Sequence, residues 1–186
     1  ANINIGVRHV LPIFPMLAIA TGLGILRLWH WRRLRWTGPA LAVGLTGWLV
    51  VESLLAHPDY LPYFNQLAGD HPEEVLLDSD LDWGQDLGRL VDTLRARRIE
   101  RLSITYHGKV DLSRQGLPPF TELQEYTPTT GWIAASVFRL KLGYLGGRTD
   151  PFAWLRAYTP VTRVGRSIYL YYIEPGQLPP AAARAR

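Results

Sequence analysis

The sequence predicts a membrane α-helical hairpin of two transmembrane helices followed by a small extracytoplasmic α/β domain, and three observations carry that expectation. Two apolar runs of about 20 residues occupy the first 56 positions, and an arginine cluster separates them. From His57 onward the texture changes to alternating strand-like and helix-like runs. The mean hydropathy of −0.02 therefore averages a greasy part and a polar part.

No charged residue interrupts Val10 to Leu26, and the run extends to Trp29 if Arg27 snorkels to an interface. The second run, Thr37 to Ala56, carries one charge, Glu52, near its far end. The predicted spans are thus about 10–29 and 37–56, within a first domain of residues 1–56. A pair of buried helices in a soluble protein is the plain alternative. Against it stand Trp29, Trp31 and Trp36 interleaved with Arg27, Arg32, Arg33 and Arg35, the pattern of an aromatic belt and a cytoplasmic loop. Only Arg8 and His9 are basic on the other flank, so the Arg-rich hairpin is expected inside and the rest of the chain outside.

A cleavable signal is not expected, because a second span follows directly and no small-residue cleavage site separates the two. Pro12 and Pro15 fall near the start of the first span, where a missing amide donor costs least. Ala18 with Gly22, Ala20 with Gly24, and Ala40 with Gly44 offer small faces for neighbouring helices. The opening "ANINIGVRHV" runs straight into the first span and reads as a fragment lacking its natural start.

The second domain is expected over residues 57–174, with a flexible tail at 175–186. Residues 74–80 read as a strand, 83–98 as a helix with apolar residues at 87, 90, 91 and 94, and 100–108 as a second strand, together a parallel βαβ unit. Beyond a Pro- and Gly-bearing loop, 131–138 reads as a strand or buried segment, 151–158 as a short helix, and 161–173 as a hairpin turning near Gly165.

Composition narrows the chemistry. With no cysteine, disulfide frameworks and thiolate metal sites are excluded. The net charge of +4 would suit nucleic acid, but Arg32, Arg33 and Arg35 sit in the hairpin loop and Arg184 and Arg186 in the tail, so no nucleic-acid partner is expected. No phosphate loop, nucleophile elbow, zinc spacing or dinucleotide fingerprint occurs.

The densest polar stretch is "DSDLDWGQDL", with Asp78, Asp80, Asp82 and Asp86 where a strand hands over to a helix, the place where open α/β sheets hold ligands. Asp78, Asp80 and Asp82 imitate the opening of a calcium loop, yet Trp83 stands at the position of its sharp-turn glycine and Arg89 at that of its bidentate Glu. Asp80 and Asp82 beside Trp83 and Gln85 would also suit a sugar, with carboxylates on hydroxyls and the ring on an apolar face. The bland alternative is that Asp82 or Ser79 caps the helix while the other carboxylates face water or pair with arginine. Tyr60, Tyr63 and Phe64, with Asn65 and Gln66, suit an outer headgroup layer. Arg8 and His9 would stand where lipid phosphates reside, as phosphate-binding cations or as simple topological decoration.

Taken together, "NIGVRHVLPIFP", "HPDYLPYFNQLAGD", "DSDLDWGQDL" and "PVTRVGRSIYLYYI" resemble successive blocks in the carboxy-terminal part of bacterial polytopic glycosyltransferases of the C superfamily. These are the family 39-like members, related to protein O-mannosyltransferases and the lipid A aminoarabinose transferase. The resemblance implies an enzyme of the bacterial cytoplasmic (inner) membrane that takes a sugar from a polyprenyl-phosphate donor on the extracytoplasmic side. It implies a lipid-linked sugar donor, membrane lipid and the remaining transmembrane helices of the same protein as partners. It makes Arg8 the contact to the donor phosphate, with His9 as a companion. The catalytic acidic loop of that superfamily, with its divalent cation, would lie outside this stretch, so this chain alone is expected to be inactive and to carry no cofactor of its own. The alternative is a non-catalytic, membrane-anchored extracytoplasmic binding or assembly module, and a third reading is a calcium-stabilised one.

Overall fold

The computed structural model describes residues 11–31, 35–60, 62–63, 82–145 and 150–178. The chain divides into two compact units, residues 1–67 and 68–186.

The first unit is a helical hairpin of α1 (Ile13–His30) and α2 (Thr37–Ala56). Both helices are long and apolar enough to cross a membrane. No residue of α1 is buried, and in α2 only Gly38, Ala42 and Ala56 are. Among the described residues nothing covers their apolar side chains: Met16, Ile19, Leu54 and Leu55 are each at least 66 % exposed. Gly22, Gly24 and Gly44, expected on faces for close helix approach, have open space where a side chain would project. The helix polar groups are turned inward on themselves. The Thr46 and Ser53 hydroxyls donate to the carbonyls of Ala42 and Leu49, each at 2.8 Å, and the Tyr63 hydroxyl donates to Glu52 Oε2 at 2.7 Å.

The second unit is a mixed five-stranded sheet: β1 (Leu102–Thr105), β2 (Phe120–Glu122), β3 (Gly131–Ser136), β4 (Thr162–Val164) and β5 (Ile168–Ile173), in the order β2-β1-β3-β5-β4. β1 runs parallel to β2 and β3, whereas β5 is antiparallel to both β3 and β4. Successive side chains point to opposite faces, and both faces are covered, which explains why β3 reads as an unbroken apolar run. On one face Leu102, Ile104, Ala134, Ile168 and Leu170 pack against Leu87, Leu90 and Leu94 of α3 (Gln85–Ala96). On the other, Ile133, Ala135, Tyr171 and Ile173 pack against Phe152 and Leu155 at the 3-10 helix Ala153–Ala157.

The expected apolar positions 87, 90, 91 and 94 of α3 are all buried. Its carboxyl end closes by a Schellman motif: Ile99 N–H bonds Leu94 O and Arg98 N–H bonds Arg95 O, each at 3.0 Å, with Arg98 at φ 53. The helix stops there because that left-handed residue reverses the chain and drops Ile99 into the core beside Leu94.

The hairpin at 161–173 turns at Gly165 as expected. Residues 151–158 hold a 3-10 helix instead of an α-helix. Residues 131–138 do not remain one strand, because the chain enters α4 (Val137–Leu145) after Ser136. The Ser136 hydroxyl accepts from the Arg139 amide at 3.3 Å, as an N-capping serine does. The stretch read as a loop before β3 contains the edge strand β2 and the 3-10 helix Leu112–Arg114. The expected strand at 74–80, and most of the tail, lie outside the described residues.

Candidate functional site at the carboxyl end of the parallel strands

Two helices, α3 and α4, begin at the end of the sheet where β1 and β3 finish, and the β4–β5 turn closes over the same end. Of the residues singled out in sequence, Arg8, His9, Asp78 and Asp80 lie outside the described residues. Asp82, Trp83 and Gln85 enter here together.

Asp82 does not cap α3 with its side chain, correcting that expectation. The N-cap is Gly84, at φ 92, which has no side chain to bond the first turn. Asp82 Oδ1 instead accepts from Gly84 N–H and from the Tyr106 hydroxyl, both at 2.8 Å. Glycine is needed at this position for its left-handed backbone, and also because a Cβ would come within 3.2 Å of Val110 Cγ2. The Gln85 side-chain carbonyl accepts from Trp83 N–H at 2.7 Å, fixing the bend before the helix. The Trp83 ring is 62 % exposed.

The other oxygen of Asp82, Oδ2, is buried and has no hydrogen-bond partner among the described residues. Burial pushes the Asp82 carboxyl above the ordinary carboxylate range, and the neighbouring charge of Asp86 adds to the shift. The bonds from Gly84 and Tyr106 pull the other way without reversing it. Burial and the Asp82 carboxyl together push the Tyr106 phenol up as well. Both shifts run toward the protonated form.

Asp86, the last acid of the motif, is 1 % exposed and fully engaged. Its Oδ2 accepts from Arg166 N–H (2.9 Å), Ser167 N–H (3.0 Å) and the Ser167 hydroxyl (2.8 Å), while Oδ1 accepts from Arg89 (3.0 Å). The carboxylate lies so close over the β4–β5 turn that a Cβ at Gly165 would sit 1.9 Å from Oδ1. Gly165 is also at φ 55, so that position admits only glycine on both counts. Ser167 O in turn accepts from Val137 N–H at 2.8 Å, tying the start of α4 to the same turn.

On the opposite face of β1, a second polar cluster was not legible from spacing. Arg139 donates from Nε to the buried Thr105 hydroxyl (3.1 Å) and from Nη2 to Glu125 (2.8 Å), with its guanidinium 5.3 Å from the centre of the Phe152 ring. The His107 ring stacks on Phe138 at 3.8 Å between centroids. These residues come from four separate segments, and only the capping Ser136 before a run of helix formers hinted at them. Among the described residues no group of three His, Cys, Asp or Glu side chains is gathered to hold a metal. Comparison with known proteins adds no assignment: no family model, no curated protein and no solved structure matches the chain.

Two measurements follow from these contacts. Asp86→Ala leaves the buried Ser167 amide and hydroxyl, and the Arg166 amide, without their acceptor, and should cost about 3–5 kcal/mol in urea unfolding of the full chain. Gly165→Ala should be strongly damaging in the wild type and much less so on top of Asp86→Ala; strictly additive losses would contradict the contact. For Asp82, a pKa raised by folding means that its part of the stability is whole below the unfolded value, near pH 4, and falls as pH rises through the higher folded value. Asp82→Asn keeps an oxygen for Gly84 and Tyr106 and cannot ionise. Its melting temperature relative to wild type should therefore climb between pH 4 and pH 8, whereas a constant or falling difference would refute the buried carboxyl.

Proposed function

We propose that this chain is the carboxy-terminal part of a bacterial inner-membrane glycosyltransferase that transfers a sugar from a polyprenyl-phosphate donor on the extracytoplasmic side. The observation that carries the reading is the hairpin: two helices of spanning length whose apolar side chains are left uncovered by the described residues, joined through Arg32, Arg33 and Arg35. In water such surfaces would drive aggregation; in hydrocarbon they need no cover. Trp29, Trp31 and Trp36, each more than half exposed, stand at the loop end, where aromatic side chains sit at the headgroup level. On this reading the α/β unit is outside, and Arg8 and His9 would stand at the outer headgroup layer, where a cation could meet a donor phosphate. Support for the reaction class comes from the four sequence blocks that resemble family 39-like enzymes. Catalytic acids, and any divalent cation, belong to the rest of such an enzyme.

A second reading, a membrane-anchored binding or assembly module without catalysis, is favoured by Asp86, whose carboxylate is occupied by the fold and unavailable to a substrate. Sugar transfer separates the two. Membranes carrying the full-length parent should move sugar from a polyprenyl-phosphate donor to acceptor, and Arg8→Ala should lower that transfer at least tenfold at unchanged protein level. Transfer that ignores Arg8→Ala would remove the phosphate contact, and its absence from the parent would favour the anchored module.

A further inference from the structure

We propose that the α/β unit docks on anionic lipid headgroups through the exposed arginines at the carboxyl end of α3. Arg95 lies in the last turn of that helix, Arg97 and Arg98 in the turn that closes it, and Arg101 directly before β1. All four are exposed. None of them takes part in an ion pair or a side-chain hydrogen bond among the described residues. Asp92 and Glu100, the nearest acids in the sequence, are exposed and pair with none of them. Residues 95–101 therefore carry a net charge of +3, from four arginines and one glutamate.

The closing turn of α3 is what gathers these cations. With Arg98 in left-handed backbone the chain reverses and Ile99 drops into the core, while the arginines on either side of it stay in water. A cation in the last turn favours the helix dipole, and Arg95 alone serves that purpose. Arg97, Arg98 and Arg101 are left without a structural duty. Arg101 also lines the groove at the amino ends of the parallel strands, together with Trp132. The Trp132 ring lies 4.9 Å from that of Tyr172, which is 45 % exposed. Cations and amphipathic rings thus meet at one end of the sheet, the combination that suits a headgroup layer.

Each guanidinium presents a planar fork of donors that fits a phosphodiester, and an unpaired cation gives up no partner in binding one. The occupant is a bilayer surface and not a soluble anion, because the same chain carries two helices of spanning length. The chain between α2 and α3 tethers the unit to those helices, which raises the effective concentration of headgroups around it. An acidic protein would have to reach the patch from solution without that advantage. The inference rests on the spanning reading of the hairpin and not on the glycosyltransferase reading, so it survives the failure of the latter.

The test uses the full chain in lipid nanodiscs, carrying Ala96→Cys labelled with a fluorophore; the position is exposed and the native chain contains no cysteine. Quenching by neutral acrylamide is compared in discs of phosphatidylcholine alone and in discs with an equal part of phosphatidylglycerol. It should fall at least threefold in the phosphatidylglycerol discs at low salt and return in molar salt, where screening confines the attraction to about 3 Å. Arg97→Gln combined with Arg101→Gln, both exposed and outside the core, should abolish the protection. Lys109→Gln, which removes an exposed cation beyond the other end of β1, should leave it unchanged. Equal quenching in the two discs, or protection that ignores the double variant, would overturn the proposal. So would protection by inorganic phosphate or poly-glutamate but not by phosphatidylglycerol, which would mark a free anion or an acidic protein as the ligand. A chain that co-elutes with neither disc would overturn it together with the spanning reading, whereas co-elution without protection overturns the proposal alone.

Discussion

One buried carboxylate organises the α/β unit. Asp86 is held in the first turn of α3 with four hydrogen bonds, three of them from the turn between β4 and β5. A carboxylate in such a place is costly without partners, and its charge-assisted bonds, stronger away from water, offset that cost only while all of them are in place. The helix start adds to this, because its free amides favour a negative charge. The result pins α3 to the far edge of the sheet, and through Ser167 O and Val137 N–H it pins the start of α4 as well. Gly165 is the geometric condition for the contact.

That contact divides the acidic motif into two duties. Asp86 belongs to the fold. Asp82, four residues earlier, shares its oxygen Oδ1 between Gly84 and Tyr106 and keeps a buried second oxygen without a partner among the described residues. Neither of the motif's two described acids is mere surface decoration. The hydrogen-bonding capacity left over lies at the carboxyl end of β1.

Much of the architecture was legible in the sequence because it rests on local rules. The second helix was bounded at Thr37 by a change from arginines to apolar residues and at Ala56 by the turn to His57, Pro58 and Asp59, and the structure keeps those bounds. The buried stripe of α3 followed from a period of 3.6, and the final hairpin from a glycine between two alternating runs. What stayed hidden depends on contacts distant in sequence. The Asp86 contact joins residues 80 positions apart, and Arg139 reaches Thr105 over 34. The switch from β3 into α4 hid behind apolar residues that serve either state, and β2 is too short to show a period. Asp82 looked like a helix cap because its residue type is right; Gly84 intervenes and moves the helix start beyond its reach.

The proposed topology, a hairpin crossing the membrane with its arginine loop inside and the α/β unit outside, is open to a direct test. The chain contains no cysteine, so single cysteines placed at Arg33 and at Tyr126 report their sides without background. Labelled with a membrane-impermeant maleimide in spheroplasts, a cysteine at 126 should react at once and one at 33 only after the membrane is opened. Equal reactivity at both positions before opening, or the reverse order, would contradict the topology and with it the functional reading built on it.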